Sequence, residues 1–251
     1  RGTAMGVATG SYEQPMVFRN NDLPGVIMGS ATQRLIRQYG IRPGKRAVVV
    51  AANSDGYGVV LDLLDAGVEV ACVVDPRSDA PDSKRHDAVI GHGVPVIRET
   101  TVAEVLAGPG NKGVVGARIA RVTGEGETAD TTDYFACDLV CISVGYHPAA
   151  NLIYHARGRL SYDDRQASFA IAELPAHMFA AGSVDGAHDP DTAVTSGRHA
   201  GWAAAKDAGS DGGVEPPVAV QDGAVPNYPW PIFPHADGKD FVDFDEDLQV
   251  V

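Results

Sequence analysis

Between residues 46 and 77 apolar and polar positions alternate in the rhythm of a strand, a helix and a second strand. Residues 47–52 (AVVVAA) are an unbroken apolar run, short enough for a strand buried on both faces. The pattern predicts a strand over 46–52, a helix over about 55–66 stopped by Gly67, and a strand over 68–74 closed by Asp75. Upstream, MGVATG is a short apolar strand that runs into Thr9 and Gly10. Leu23-Pro24-Gly25 makes a turn, and Leu35, Ile36 and Tyr39 recur at helical spacing. That helix ends at Gly40, with Ser30 or Thr32 as its cap. Downstream, the polar stretch 76–88 is expected to carry a second helix, and VPVIRE a third short strand. GVVGARIARVT and TTDYFACDLVCISVG read as strands around the turn GEGETADTT. ELPAHMFAAGSVDG is a strand entering a glycine turn. The segment DPDTAVTSGRHAGWAAAKDAG is a helix capped by Asp191 or Thr192 and stopped by Gly209.

Strand–helix alternation of this kind predicts an α/β fold: a Rossmann-like central parallel sheet with βαβ units, plus small antiparallel strands. Six prolines stand between Glu215 and His235. They make 210–238 a linker or a surface strap with no helix of its own, not a core element. The last residues, KDFVDFDEDLQVV, begin a new element.

Composition narrows the function classes. The 251 residues carry 33 acids against 20 bases, a net charge of −13, with no basic stripe. Duplex nucleic acid is therefore not an expected partner. No run approaches the roughly 18 apolar residues of a membrane helix, so no membrane partner is expected either. Cys72, Cys137 and Cys141 lie inside apolar runs and read as buried small hydrophobes in a reducing, cytoplasmic setting. Cys137 and Cys141 are spaced C-x3-C with no second pair, so no zinc site is expected. The DFDED run lacks the glycine and the distal Glu of a calcium loop. His147 and His155 read as surface or packing residues, and Trp202 and Trp230 as anchors of the last helix and the strap. No Gly-x-Ser-x-Gly elbow occurs, and no catalytic residue is assigned. The chain opens on Arg1 and not on Met, so its natural N-terminus is expected upstream.

The turn after the first strand of the βαβ unit is the most informative stretch. A dinucleotide loop carries Gly-x-Gly-x-x-Gly: one glycine for the turn, one for the approach of the pyrophosphate, one for helix–strand packing. Here the loop is Ala51-Ala52-Asn53-Ser54-Asp55-Gly56, and only the third glycine, Gly56, survives. Asn53 puts a side chain where the pyrophosphate would lie. Asp55 puts a negative charge at the helix N-terminus that would otherwise hold phosphate. Asp75 stands where a ribose-binding acid would. The loop reads as a vacated site that has kept its shape; a weak or unusual NAD site is the other reading.

Four stretches fall in an order that resembles two-Rossmann-domain flavoprotein disulfide reductases: VATGSYEQP, the 46–75 unit, CISVGYHPAANL and MFAAGSVDG. More narrowly, ATGSYEQPMVFRNNDLPGVIMG, YGIRPGKRAVVVAANSDGYGVVLDLLDAGVEV, CDLVCISVGYHPAANLIYHARGRLSYDD and KDFVDFDEDLQV resemble consecutive blocks of the alpha subunits of heterotetrameric sarcosine oxidases. The degenerate turn is itself part of the match.

That resemblance implies an FAD/NAD(P)-binding fold. It implies that 1–44 leave a first nucleotide-binding domain, 45–147 form a degenerate second one, 148–209 return to the first, and 210–251 lead towards a folate-binding region. It implies NAD in the alpha subunit, FMN at the interface with a beta subunit, FAD in that beta subunit, and gamma and delta partners. The implied activity is oxidative demethylation of sarcosine to glycine with tetrahydrofolate, with this segment inactive alone. The implied cofactor-binding residues are Thr9 and Gly10 at the exit and Gly182, Ser183, Asp185 and Thr192 at the return. Ser183 stands where FAD-binding relatives have an acid for the ribitol, which suits NAD. Two other readings stay open: a stand-alone NADH-dependent reductase using Asp75, and an interaction module without cofactor.

Overall fold

The computed structural model describes residues 2–79, 84–164, 166–211, 213–218, 227–234, 242–243 and 248–249. In chain order the elements are β1 (Met5–Val7), β2 (Ser11–Glu13), β3 (Val26–Met28), α1 (Gly29–Tyr39), β4 (Arg46–Ala51), α2 (Ser54–Asp65), β5 (Glu69–Asp75) and α3 (Lys84–Gly91). They continue with β6 (Val96–Arg98), β7 (Thr100–Ala107), β8 (Val114–Gly124), β9 (Glu127–Phe135), β10 (Leu139–Ser143) and β11 (Tyr146–Pro148). Then come α4 (Asn151–His155), β12 (Arg159–Asp163), β13 (Ser168–Glu173), β14 (Met178–Ala180), a 3-10 turn Gly182–Asp185, α5 (Pro190–Asp207) and the short antiparallel pair β15 (Val242–Asp243) and β16 (Leu248–Gln249).

The chain divides into two units: Arg1–Tyr12 with Tyr146–Pro226, and Glu13–Gly145 with Asn227–Val251. The larger unit is built on a five-stranded sheet in the order β3-β10-β4-β5-β6, every pair parallel. Because side chains alternate along a strand, the apolar run of β4 feeds two cores. Ala47, Val49 and Ala51 pack with Tyr57, Val60 and Leu63 of α2 and Val89 of α3. Val48 and Val50 pack on the other face with Val102 and Val105 of β7 and Ala117 and Ile119 of β8. The antiparallel sheet β7-β8-β9 thus forms the third layer. Each fully buried valine contributes roughly 1.5–3 kcal/mol, which explains why a run so dense in Val holds the centre of the sheet.

The smaller unit has β1 parallel to β14, the antiparallel hairpin β12–β13, and a core of Val7, Ala150, Ile153, Met178, Ala180 and Val184. Val7 pairs with Ala180, so Thr9 and Gly10 follow one strand and Gly182 follows its parallel neighbour.

Four sequence expectations shift. The division drawn at 44/45 lies at 12/13 by contact, because β3 pairs with β10 and α1 packs on α2. The cap of α1 is neither Ser30 nor Thr32: the Glu13 carboxylate accepts from the Ser30 N–H (2.8 Å), and the Thr32 hydroxyl donates to the Met28 carbonyl (3.1 Å). The cap of α5 is Asp189, which accepts from the Thr192 N–H (2.9 Å); Asp191 and Thr192 lie inside the first turn. The strap is not wholly on the surface, since Tyr228 and Phe233 are buried in the core of the larger unit. Within the strap, residues 219–226 and 235–238 lie outside the described residues, as do Asp245 and Asp247 of the DFDED run. No helix among the described residues is long and apolar enough to cross a membrane.

Candidate functional site

In open α/β sheets a ligand lies beyond the C-terminal ends of the strands, where the strand order reverses. In the larger unit that point is between β4 and β10, and the degenerate turn stands on it. Asn53 is buried, and its Oδ1 accepts from the Gly56 N–H (2.9 Å) and from the Ser143 hydroxyl (3.0 Å). The side chain therefore caps α2 and ties the turn to the end of β10. Asp55 pairs with Arg85 (2.6 Å), so the charge at this helix end is already answered. A Cβ on Gly56 would lie 2.6 Å from Ala51 Cβ and 2.8 Å from Ala51 Cα. Gly56 fills the packing role that the third glycine has in such a motif.

The second helix end at this point is also filled. Glu13 accepts from the Ser30 N–H at the start of α1, and burial raises its pKa, with the nearby Asp55 adding to the shift. Both helix N-termini that could face an anion are thus met by side chains of the chain itself.

Asp75 is fully buried and committed. It accepts from the Tyr57 hydroxyl (2.8 Å) and from the Arg77 N–H (3.0 Å), Nε (2.8 Å) and Nη2 (2.6 Å). Burial, then the Asp75 charge, pushes the Tyr57 phenol far above its ordinary pKa. Tyr57 also meets the His86 ring edge-on at 5.2 Å, and His86 Nε2 lies 3.3 Å from Arg98 Nη2. Asp75 is the centre of a closed polar network, and a ribose hydroxyl would have to displace one of its partners.

The smaller unit is more open. Gly10 and Gly182 both have φ of +76°, and a Cβ at either would meet nothing within 4 Å. The Thr9 hydroxyl donates to the Ala149 carbonyl (2.7 Å), fixing the turn after β1. The Gly182 N–H donates to the Ser196 hydroxyl (3.2 Å), which holds the turn after β14 to α5. Ser183 and Asp185 line a cleft of about 310 Å³ with Ser11, Tyr146, Asp163 and His188. Partial desolvation raises the Asp185 pKa. Thr192 does not line it, and its N–H serves Asp189. A second cleft of about 650 Å³ lies between Tyr12, His147, Tyr154, Leu160 and Phe169. Burial lowers the His147 pKa there, favouring the neutral ring.

The residues therefore fit a nucleotide unequally. At the strand ends of the smaller unit, Gly10 and Gly182 face open space beside the Ser183–Asp185 cleft. The turn of the larger unit fills its own phosphate and ribose positions. Among the described residues no group of three or more His, Cys, Asp or Glu is placed to hold a metal ion. Sequence reasoning singled out Asn53, Asp55, Gly56 and Asp75 but missed Glu13, Tyr57, Arg77, Arg85 and Ser143. Their partners are distant in sequence, apart from the local Arg77–Asp75 pair, and only Arg77 could have been found from its spacing.

No family model matches the chain. It is 30% identical over 251 residues to the sarcosine oxidase subunit alpha of Corynebacterium sp. (strain P-1), covering 97% of this chain and 25% of that subunit. It is 30% identical over 249 residues to the sarcosine oxidase subunit alpha of Rhizobium meliloti (strain 1021), covering 97% and 23%. The chain thus spans about a quarter of the length of these curated relatives. Among solved structures, a ferredoxin reductase from Rhodopseudomonas palustris aligns with a TM-score of 0.59 at 20% identity, over 87% of this chain and 54% of that one, a likeness of fold alone. Along nearly its whole length the chain is similar to one part of the alpha subunits of sarcosine oxidases, on the fold of FAD/NAD-binding disulfide reductase-like flavoproteins.

Proposed function

We propose that this chain is the part of a flavin-dependent amine oxidase alpha subunit that completes a nucleotide-binding domain and carries a second, silent copy of that fold as scaffold. The carrying observation is the contrast between the two sheet ends. Asn53, Asp55 and Asp75 are each satisfied by partners within the larger unit, whereas Gly10, Gly182 and Ser183 stand at open strand ends. The cofactor of the alpha subunit is NAD, held by the turns after β1 and β14. It would be contacted by Thr9, Gly10, Gly182, Ser183 and Asp185, with the start of α5 at Thr192 nearby. NAD lacks the ribitol that an acid at Ser183 would serve. The whole enzyme oxidises sarcosine to glycine and passes the one-carbon unit to tetrahydrofolate. It works with a beta subunit that carries FAD, with FMN at the interface, and with gamma and delta subunits, in the cytoplasm.

The test is cofactor content of the purified complex, by extraction and chromatography, for wild type and Ser183→Asp. Wild type should release NAD from the alpha subunit. The variant should hold it more weakly, by ~1–2 kcal/mol for a charge placed near phosphates in a partly buried site. FAD recovered from the wild-type alpha subunit with no NAD would overturn the assignment. Saturable NADH binding to this chain, abolished by Asp75→Asn, would support the reductase reading in its place.

A further inference from the structure

Part of the C-terminal edge of the five-stranded sheet, at β10 and β5, is met by the Pro-rich tail of the same chain. The Tyr228 N–H donates to the Val144 carbonyl just past β10 (2.7 Å). The Phe233 N–H donates to the Val17 carbonyl (2.9 Å), and the Val17 N–H to the Pro231 carbonyl (2.8 Å). Tyr228 and Phe233 are 4% and 3% exposed, their rings stacked at 6.3 Å, in the same core as Val50, Ala52, Val74 and Val144. Gly145 has φ of +153°, and a Cβ there would lie 2.6 Å from the Asn227 side chain. A Cβ on Gly126 would lie 2.6 Å from the Ile232 carbonyl. The strap is seated by close backbone approach as well as by side chains.

The seat is specific. Val144 continues β10, Val50 and Ala52 bracket the end of β4, and Val74 precedes Asp75 at the end of β5. Tyr228 thus lies at the end of β10 and shares a cleft with Pro76 and Arg77 just past β5, beside the crevice of a working dinucleotide site. Beside it, Tyr228, Pro229 and Trp230 wall a cleft of about 440 Å³ with Arg77, Glu99 and Glu125. The prolines suit the task. Pro229, Pro231 and Pro234 bring no N–H into the seat, so fewer donors need partners, and their fixed φ lowers the entropy cost of ordering.

We propose that the segment 227–234 is a built-in stopper of the vacated crevice, seated on the sheet's C-terminal edge in the place of a dinucleotide. A Rossmann-like domain that lost its ligand leaves apolar strand ends uncovered, and the strap supplies the missing cover from the chain itself. The closure needs no ligand and stands on the larger unit alone, whatever the enzyme around it does.

Hydrogen exchange on the complete protein tests this. In wild type the Tyr228, Phe233 and Val17 amides should exchange at least about 100-fold slower than free-chain rates. Tyr228→Ala should speed the Tyr228, Phe233 and Val17 amides by about tenfold or more and leave the amides of α5 unchanged. Tyr228→Phe, which keeps the ring, should retain the protection. Adding NADH should leave the strap amides unmoved. Free-chain rates in wild type would overturn the proposal, as would a Tyr228→Ala chain with full strap protection, or NADH that releases the strap. The wild-type arm decides even if the alanine variant does not fold.

Discussion

At the scale of single residues, the 51–56 turn is held by side chains of the chain itself. Asn53→Ala removes the acceptor of both the Gly56 N–H and the buried Ser143 hydroxyl. Loss of a cap alone costs ~1 kcal/mol, and an orphaned buried hydroxyl adds ~1–3 kcal/mol. Urea unfolding of the intact chain should therefore show a loss of a few kcal/mol with no gain in nucleotide affinity. Gly56→Ala should be as harmful for a different reason. Its Cβ is aimed at the backbone of Ala51, which cannot rotate away, and overpacking of this kind costs about 1–3 kcal/mol. Asp75→Asn should lower stability without touching any cofactor, since Arg77 would lose its buried anion. The cysteines give a simpler check. Burial pushes Cys72 and Cys141 up to about 12 and Cys137 to about 11. Native protein at pH 8 should resist thiol-specific alkylation at all three, and denatured protein should take three labels.

At the scale of elements, β4–α2–β5 was legible because each signal was local: an unbroken apolar run, a helical period, a glycine stop, an acid at the strand end. The α1 cap was not legible, because the group that satisfies Ser30 comes from Glu13, sixteen positions before the helix begins. Strand β7 (TTVAEVLA) was missed for the opposite reason: Ala, Glu and Leu suit a helix, and only pairing with β8 makes it a strand. Prolines mark linkers on average, and it is Tyr228 and Phe233 between them that reach the core. The Glu13 cap yields a pH prediction. Its folded pKa is raised from 4.5, so folding favours the protonated acid. The resulting stability is present below about pH 4.5 and is lost as pH rises through the folded pKa. Glu13→Gln carries no such charge. Its stability relative to wild type should climb across that window and then level off, as read from melting temperatures over a pH series. A flat difference would mean that Glu13 is not desolvated. His147 has the reverse sign: its lowered pKa contributes stability above 6.5 that is lost on acidification, and His147→Gln should blunt that loss.

At the scale of the whole molecule, the proposed reading gives the sheet ends of the two units opposite fates, and their separation into two units makes those fates measurable one at a time. The boundary by contact lies at residue 12 because strand pairing, not composition, decides to which sheet 26–28 belong. On the proposed reading, NAD binds the alpha subunit through the domain that the smaller unit completes, and not through the larger unit. A ligand that binds only the native state stabilises it by RT ln(1 + [L]/Kd), about 2.7 kcal/mol at a hundred times Kd. That gain belongs to the cooperative unit that makes the contacts. Saturating NAD on the intact alpha subunit should therefore slow amide exchange in the Gly182–Asp185 turn and α5, roughly 100-fold if that unit opens as a whole, and leave α2 and β5 unchanged. The measurement distinguishes the two ends directly. Protection that rises in α2 and β5 would place the nucleotide on the 51–56 turn, and the closed network around Asn53 and Asp75 would then have to open for it.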